Sequence, residues 1–216
     1  MSTIVFPDRA SARSGPAQQA LTRAAAAAAK APAVGGSRAL RWRIAGERAE
    51  LFVRAERPDP KLMIDAGSAL HHALVALAGL GAVATCERLD DAAAEQPIAI
   101  VQLTGFTTAT PEQVRSYQYI SLPQPSARPG QPAITNQALL ALQRAVAERG
   151  ALLQLAPTGQ RPELAHGTVV ADPDTATGWL NVGEALSAVT LAGAMERLTV
   201  HASWSSAQGP ATVLIR

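Results

Sequence analysis

This chain is short of cysteine and of aromatic side chains: Cys86 is its single thiol, and Phe, Trp and Tyr make up 4% of 216 residues. One thiol excludes an internal disulfide framework and any multi-thiolate zinc or iron–sulfur site, and it fits a reducing cytoplasm. With 48% hydrophobic residues and few rings, the interior must be built from Ala, Val and Leu with backbones close together. Charge of one sign is lacking too. A formal net charge of +2, without a dense Lys/Arg stripe, leaves no expectation of a nucleic-acid or acidic-membrane partner. No run reaches the roughly 18 uncharged apolar residues of a membrane span. The opening MSTIVFPDRASARSG has no long apolar stretch, so a soluble, unexported, cytoplasmic protein is expected. GxSxG elbow, Walker loop, dinucleotide fingerprint and HExxH are all missing, which removes the commonest hydrolase, NTPase, Rossmann and zinc-protease readings.

What is present is a repeated helical pattern. MIDAGSALHHALVALAGLGA from Met63 and WLNVGEALSAVTLAGAMERL from Trp179 set Ile64 on Leu180, Asp65 on Asn181, Gly67 on Gly183, Leu70 on Leu186 and Ala76 on Ala192. In the first copy Ile64, Gly67, Leu70, Leu74 and Leu77 fall on one helical face, and its small residues let a second backbone approach closely. Such helices belong at a packed interface. The chain then reads as two related halves whose central helices pack around a pseudo-two-fold axis, within one chain or across a homodimer.

Other elements follow from local signals. Residues 1–15 read as a flexible N-terminal arm able to cross onto a neighbour. From Pro16 to Lys30, PAQQALTRAAAAAAK has Pro in the first turn and strong helix formers after it, which predicts a helix. LRWRIAGERAELFVRAE alternates around Ala45-Gly46-Glu47 as a β-hairpin does. GAVATCERL and PIAIVQLTG read as strands, the second apolar enough for burial on both faces. Residues 105–133 carry Pro111, Pro123, Pro125, Pro129 and Pro132 and read as a long linking arm. A helix over 134–149 leads through Gly150 into the strand ALLQLAP, and LTVHASW and ATVLIR close the chain as strands. The expected architecture is α+β: one domain over 16–216, with halves at about 16–104 and 134–216, and a central mixed or antiparallel sheet packed by Ala-rich helices.

The order of these pieces resembles the nitroreductase superfamily, in particular its Acg-type branch of FMN-binding oxidoreductases. APAVGGSRALRW from Ala31 to Trp42, the hairpin, Asp59-Pro60, Gly67-Ser68-Ala69-Leu70, Asp174 before Trp179-Leu180-Asn181-Val182-Gly183-Glu184-Ala185-Leu186, and the closing ATVLIR carry the resemblance. It covers most of the chain from about residue 20. Departures are plain: Ala33 and glycines replace the family's Ser and His-Asn, Arg41 replaces its Pro before Trp, and only Arg115 remains of an arginine motif. The chain is also shorter, between the third helix and Trp179.

The resemblance implies FMN as cofactor, NAD(P)H as transient electron donor and a small-molecule acceptor. A flavin pocket needs a cationic, amide-lined cradle for the phosphate, and the cofactor itself does the hydride chemistry. Gly35, Gly36, Ser37, Arg38 and Arg41 are the candidate cradle, Trp42 a candidate stacking ring, and Arg115 with Ser116 a second anion contact. The altered motifs imply an alternative, a non-catalytic relative that binds or stores flavin or serves as a dimeric interaction scaffold. His71-His72 is not expected to hold a metal, because adjacent helical side chains point about 100° apart. Cys86 is expected to be an inert buried thiol.

Overall fold

The computed structural model describes residues 3–5, 15–34, 39–55, 59–90, 96–122, 133–156, 164–170, 175–204 and 211–216. Strand β1 (Thr3–Val5) precedes helix α1 (Pro16–Ala28), which starts on Pro16 and turns Ala20, Leu21, Ala24, Ala27 and Ala28 inward. The hairpin β2 (Leu40–Ala45) and β3 (Arg48–Val53) turns at Gly46, whose φ of 58° lies where a Cβ is unfavourable. Helix α2 (Pro60–Gly79) begins at Asp59, whose carboxylate accepts the Leu62 N–H at 2.8 Å, a cap contributing about 1 kcal/mol. Strands β4 (Ala82–Arg88) and β5 (Ala99–Phe106) complete an antiparallel sheet that β1 extends by pairing parallel to β2. Its order is β1-β2-β3-β5-β4.

The second half repeats this order. Helices α3 (Pro111–Tyr119) and α4 (Asn136–Ala147) lead to β6 (Leu152–Ala156), β7 (Ala165–Val170), helix α5 (Ala176–Met195), β8 (Val200–Ser203) and β9 (Ala211–Ile215). The second sheet is antiparallel, in the order β6-β7-β9-β8. That is the order β2-β3-β5-β4 of the first sheet with each strand replaced by its counterpart. Both halves therefore run helix, two strands, long helix, two strands.

The two long helices prove the relation at atomic level. A Cβ on Gly67 would stand 2.0 Å from the Leu180 carbonyl oxygen, and one on Gly183 would stand 2.0 Å from the Ile64 carbonyl oxygen. Each glycine touches the residue equivalent to the one its counterpart touches, the reciprocal exchange that a two-fold axis produces. His71 and Ser187 are separated by the same 116 positions, so they are equivalent residues and meet on the axis. Contacts advance together along both helices, from Ile64/Gly183 to His71/Ser187, so α2 and α5 run in the same direction. α2 is long and apolar enough to cross a membrane, yet 72% of its apolar window is buried inside the protein.

Several expectations change. The chain forms two sheets rather than one central sheet, because each half closes its own strands around its own long helix. The described part of the N-terminal arm is a strand, since Thr3, Ile4 and Val5 register on Arg41, Trp42 and Arg43. The stretch expected as a linking arm contains α3, because Thr110 and Gln113 form a reciprocal capping box around Pro111, and that start signal outweighs the prolines around it. Strand β5 buries Ala99, Val101 and Leu103 on one face only, its sheet being covered by helices on one side. The helix expected over 134–149 is two residues shorter at each end, with Thr135 as its cap.

Candidate functional site

Polar groups gather where the two-fold axis passes through the apolar helix pair. Ser187, His71 and His72 are buried, and the Ser187 hydroxyl lies 2.7 Å from Nδ1 of both rings. A hydroxyl carries one hydrogen, so it donates to one ring and accepts from the Nδ1–H of the other. Both rings are thus held neutral, in opposite tautomers. Burial drives the proton affinity of His71 well below the usual imidazole range, and the Arg149 charge lowers it further. Burial lowers His72 to about 4, partly offset by its hydrogen bond to the Ser68 backbone. Beside them the Ser68 hydroxyl donates to the Gly183 carbonyl at 2.9 Å, and Arg88 grips the buried Glu184 carboxylate with two hydrogen bonds of 2.7 and 2.9 Å. The Asp65 carboxylate accepts the Val34 N–H at 2.6 Å, tying the loop after α1 to α2.

A groove of about 560 Å³ opens on one side of this seam, with His71 in its lining. α2 and α5 form its floor through Val75, Ala78, Ala188, Leu191 and Ala192, while α3 and α4 form its walls. α3 can sit so close because Gly79 has no side chain where the Tyr117 Cβ packs, 2.4 Å from the position a glycine Cβ would take. Volume and lining suit a small organic molecule. Its charged groups are unevenly placed: Glu112, Arg144, Glu148 and Glu196 are exposed, whereas Arg149, just past the end of α4, is half-buried. The Arg149 Nε is buried and has no hydrogen-bond partner among the described residues. Its ion pair with Glu148 is a single 3.7 Å contact to a side chain 60% exposed, which contributes little in water.

The candidate cofactor residues are dispersed. Gly35, Gly36, Ser37 and Arg38 lie outside the described residues, as does Asp174. Trp42 and Arg41 are neighbours on β2 and point to opposite faces. Trp42 is a core side chain, 1% exposed among Ala-rich helices. Arg41 stacks over Phe52 on the other face, its guanidinium carbon 4.5 Å from the ring centroid. Arg115 is exposed on α3, whereas Ser116 lines the groove and its hydroxyl lies 3.6 Å from the Met195 sulfur. Of the candidates on β2, the Trp42 ring is therefore in the core and Arg41 lies across the sheet from it.

Cys86 is half-buried and burial pushes its thiol up to about 11, as an inert role requires. Among the described residues no group of three His, Cys, Asp or Glu side chains could hold a metal ion. The residues that sequence reasoning passed over are Ser187, Arg149, Arg88 and Glu184. A signal for the first existed. The spacing that aligns Gly67 with Gly183 also aligns His71 with Ser187, two polar residues on otherwise apolar stripes.

No protein-family model matches this chain, and no curated protein matches it.

Proposed function

We propose that the protein is a non-catalytic small-ligand-binding module, a dimer folded into one chain, with the groove between α3 and α4 as its binding site. The carrying observation is the chemistry of the groove interior. It offers hydrogen-bond donors over an apolar floor, while its interior imidazole, His71, has Nδ1 committed to Ser187 and a proton affinity far below neutrality. Acid–base catalysis is most effective from a group whose pKa lies near the working pH. Ser187 is fully buried beneath the ring, out of reach of a substrate as a nucleophile. The two-fold contact that would join two subunits is already made between α2 and α5, so the working unit is a monomer of 22.4 kDa. A cytoplasmic setting belongs to this reading, resting on the lone Cys86.

The resemblance to nitroreductases implies instead an FMN-dependent transfer of hydride from NAD(P)H to a small acceptor. Absorbance separates the two. After supplementation with FMN and desalting, the protein is expected to be colourless. Retained flavin that NADPH or NADH bleaches anaerobically would overturn the proposal in favour of the oxidoreductase. Retained flavin that does not bleach would keep the non-catalytic reading and make flavin itself the ligand.

A further inference from the structure

Resting on the groove as a binding site, we infer that its ligand is an amphipathic anion: an apolar body of small-molecule size carrying one carboxylate or phosphate, seated between Arg149 and the His71 ring.

Three observations converge on that chemistry. First, the groove lining holds a cation and a buried imidazole, Arg149 and His71. The Arg149 Nε–H is buried without a partner among the described residues, and a buried unsatisfied cationic donor is costly until something accepts from it. Second, the acids lining the groove, Glu112, Glu148 and Glu196, are exposed at its rim, where water screens them from an anion held below. Third, the groove floor is aliphatic, formed by Val75, Ala78, Ala188, Leu191 and Ala192, which favours an apolar body and offers a polar one nothing. The Arg149 charge is also felt at His71, which places the two groups around one end of the same space.

The Ser187 hydroxyl makes the site selective in its protons. With Nδ1 of His71 occupied by Ser187, Nε2 is the ring nitrogen left for the groove. An anion accepts only from an N–H, so it selects the arrangement in which His71 carries its proton on Nε2 and accepts at Nδ1 from the Ser187 hydroxyl. Ser187 then accepts from the Nδ1–H of His72. No bond is made or broken beyond these proton positions. Arg149 and His71 would act as binding residues, and His72 and Ser187 as positioning residues behind them.

Octanoate and 1-octanol share one apolar body and differ in the anion, so they are the probes. Titration of the full chain by calorimetry, with amide and imidazole nitrogen NMR in parallel, is expected to show octanoate at least tenfold tighter than 1-octanol. Shifts should be confined to groove residues, with the His71 Nε2 protonated in the complex. Arg149→Gln is expected to remove most of the difference between the two probes. Equal affinity for both probes would overturn the anion assignment while leaving the groove as a binding site. Shifts outside the groove, or no binding of either probe, would overturn the groove itself. Because the probe comparison uses the unsubstituted protein, it decides the matter even if Arg149→Gln fails to fold.

Discussion

Gly67 and Gly183 give the sharpest test of the architecture. Replacing either with Ala puts a methyl 2.0 Å from a backbone carbonyl oxygen of the other helix, where ordinary contact begins at 3.4 Å. A helix carbonyl cannot rotate away as a side-chain tip can, so the two axes must part by an ångström or more. That separation loosens the packing along the seam, at about 1–3 kcal/mol for overpacking of this kind. It also stretches, without abolishing, the Ser68–Gly183 hydrogen bond and the contacts of Ser187 with both rings, at about 2 kcal/mol in all. Ala recovers about 1 kcal/mol of helix propensity. The net cost of either substitution is about 3 kcal/mol, a large share of the roughly 5–15 kcal/mol that a domain possesses.

The decisive quantity is the double variant. Both methyls demand the same movement, so the separation forced by the first accommodates much of the second. Gly67→Ala with Gly183→Ala should cost about 4 kcal/mol rather than about 6, a coupling of about 2 kcal/mol. Urea unfolding followed by far-UV circular dichroism measures all three variants. Gly105→Ala is the control, since nothing lies within 4 Å of a Cβ there, and it should change stability by less than about 0.5 kcal/mol. Single variants indistinguishable from that control, or costs that simply add, would refute the reciprocal contact.

The buried imidazoles make stability depend on pH. Their folded pKa values are depressed, to about 4 for His72, so below about 6.5 the unfolded chain binds more protons than the folded one. Their contribution is complete above about pH 6.5 and falls as pH drops toward 4, by roughly 3 kcal/mol for His72 alone. His72→Gln should flatten that decline in urea midpoints measured between these limits. Arg88→Met leaves the Glu184 carboxylate buried without its two hydrogen bonds and should cost about 3–5 kcal/mol, whereas adding Glu184→Leu should recover most of it. Thermal unfolding of the single and double variants checks both. Cys86, raised from 9.0 to about 11, should react with iodoacetamide about a hundredfold more slowly in the native protein than in urea at one pH. Equal rates would show the thiol to be accessible.

Much of the scaffold was legible because its two strongest signals are local. Pro-led Ala-rich runs make α1 and α2, and the Gly-containing stripe repeated at Gly67 and Gly183 announces a close helix contact. α3 was hidden by its surroundings. Proline density around Pro123–Pro132 suggested a linking arm, yet the capping box at Thr110 and Gln113 sits at the edge of that stretch and starts a helix. The groove was not legible, because its lining comes from α2, α3, α4 and α5 and no local pattern unites Ser116, Arg149 and Ala188. The divergence of His71 and His72 on their own helix excludes a shared metal ion. Side chains that diverge on their own helix still converge on one partner when Ser187 stands on the axis between them.

Departures from the repeat locate function better than the repeat does. Where the halves agree, at Gly67/Gly183 and Ile64/Leu180, they build the shared interface. Where they disagree, they make one side of the molecule unlike the other. Ala188, on the groove floor, is the counterpart of His72, whose ring would fill the space that the methyl leaves open. Ser187 is the counterpart of His71, and that exchange turns a pair of equivalent imidazoles into a hydroxyl with two rings around it. α3, which follows β5, gives the groove its second wall. A symmetric pair of identical subunits would place two copies of any such change. A chain with two unlike halves makes such a change once, and the groove lined by Arg149 is the product of that freedom.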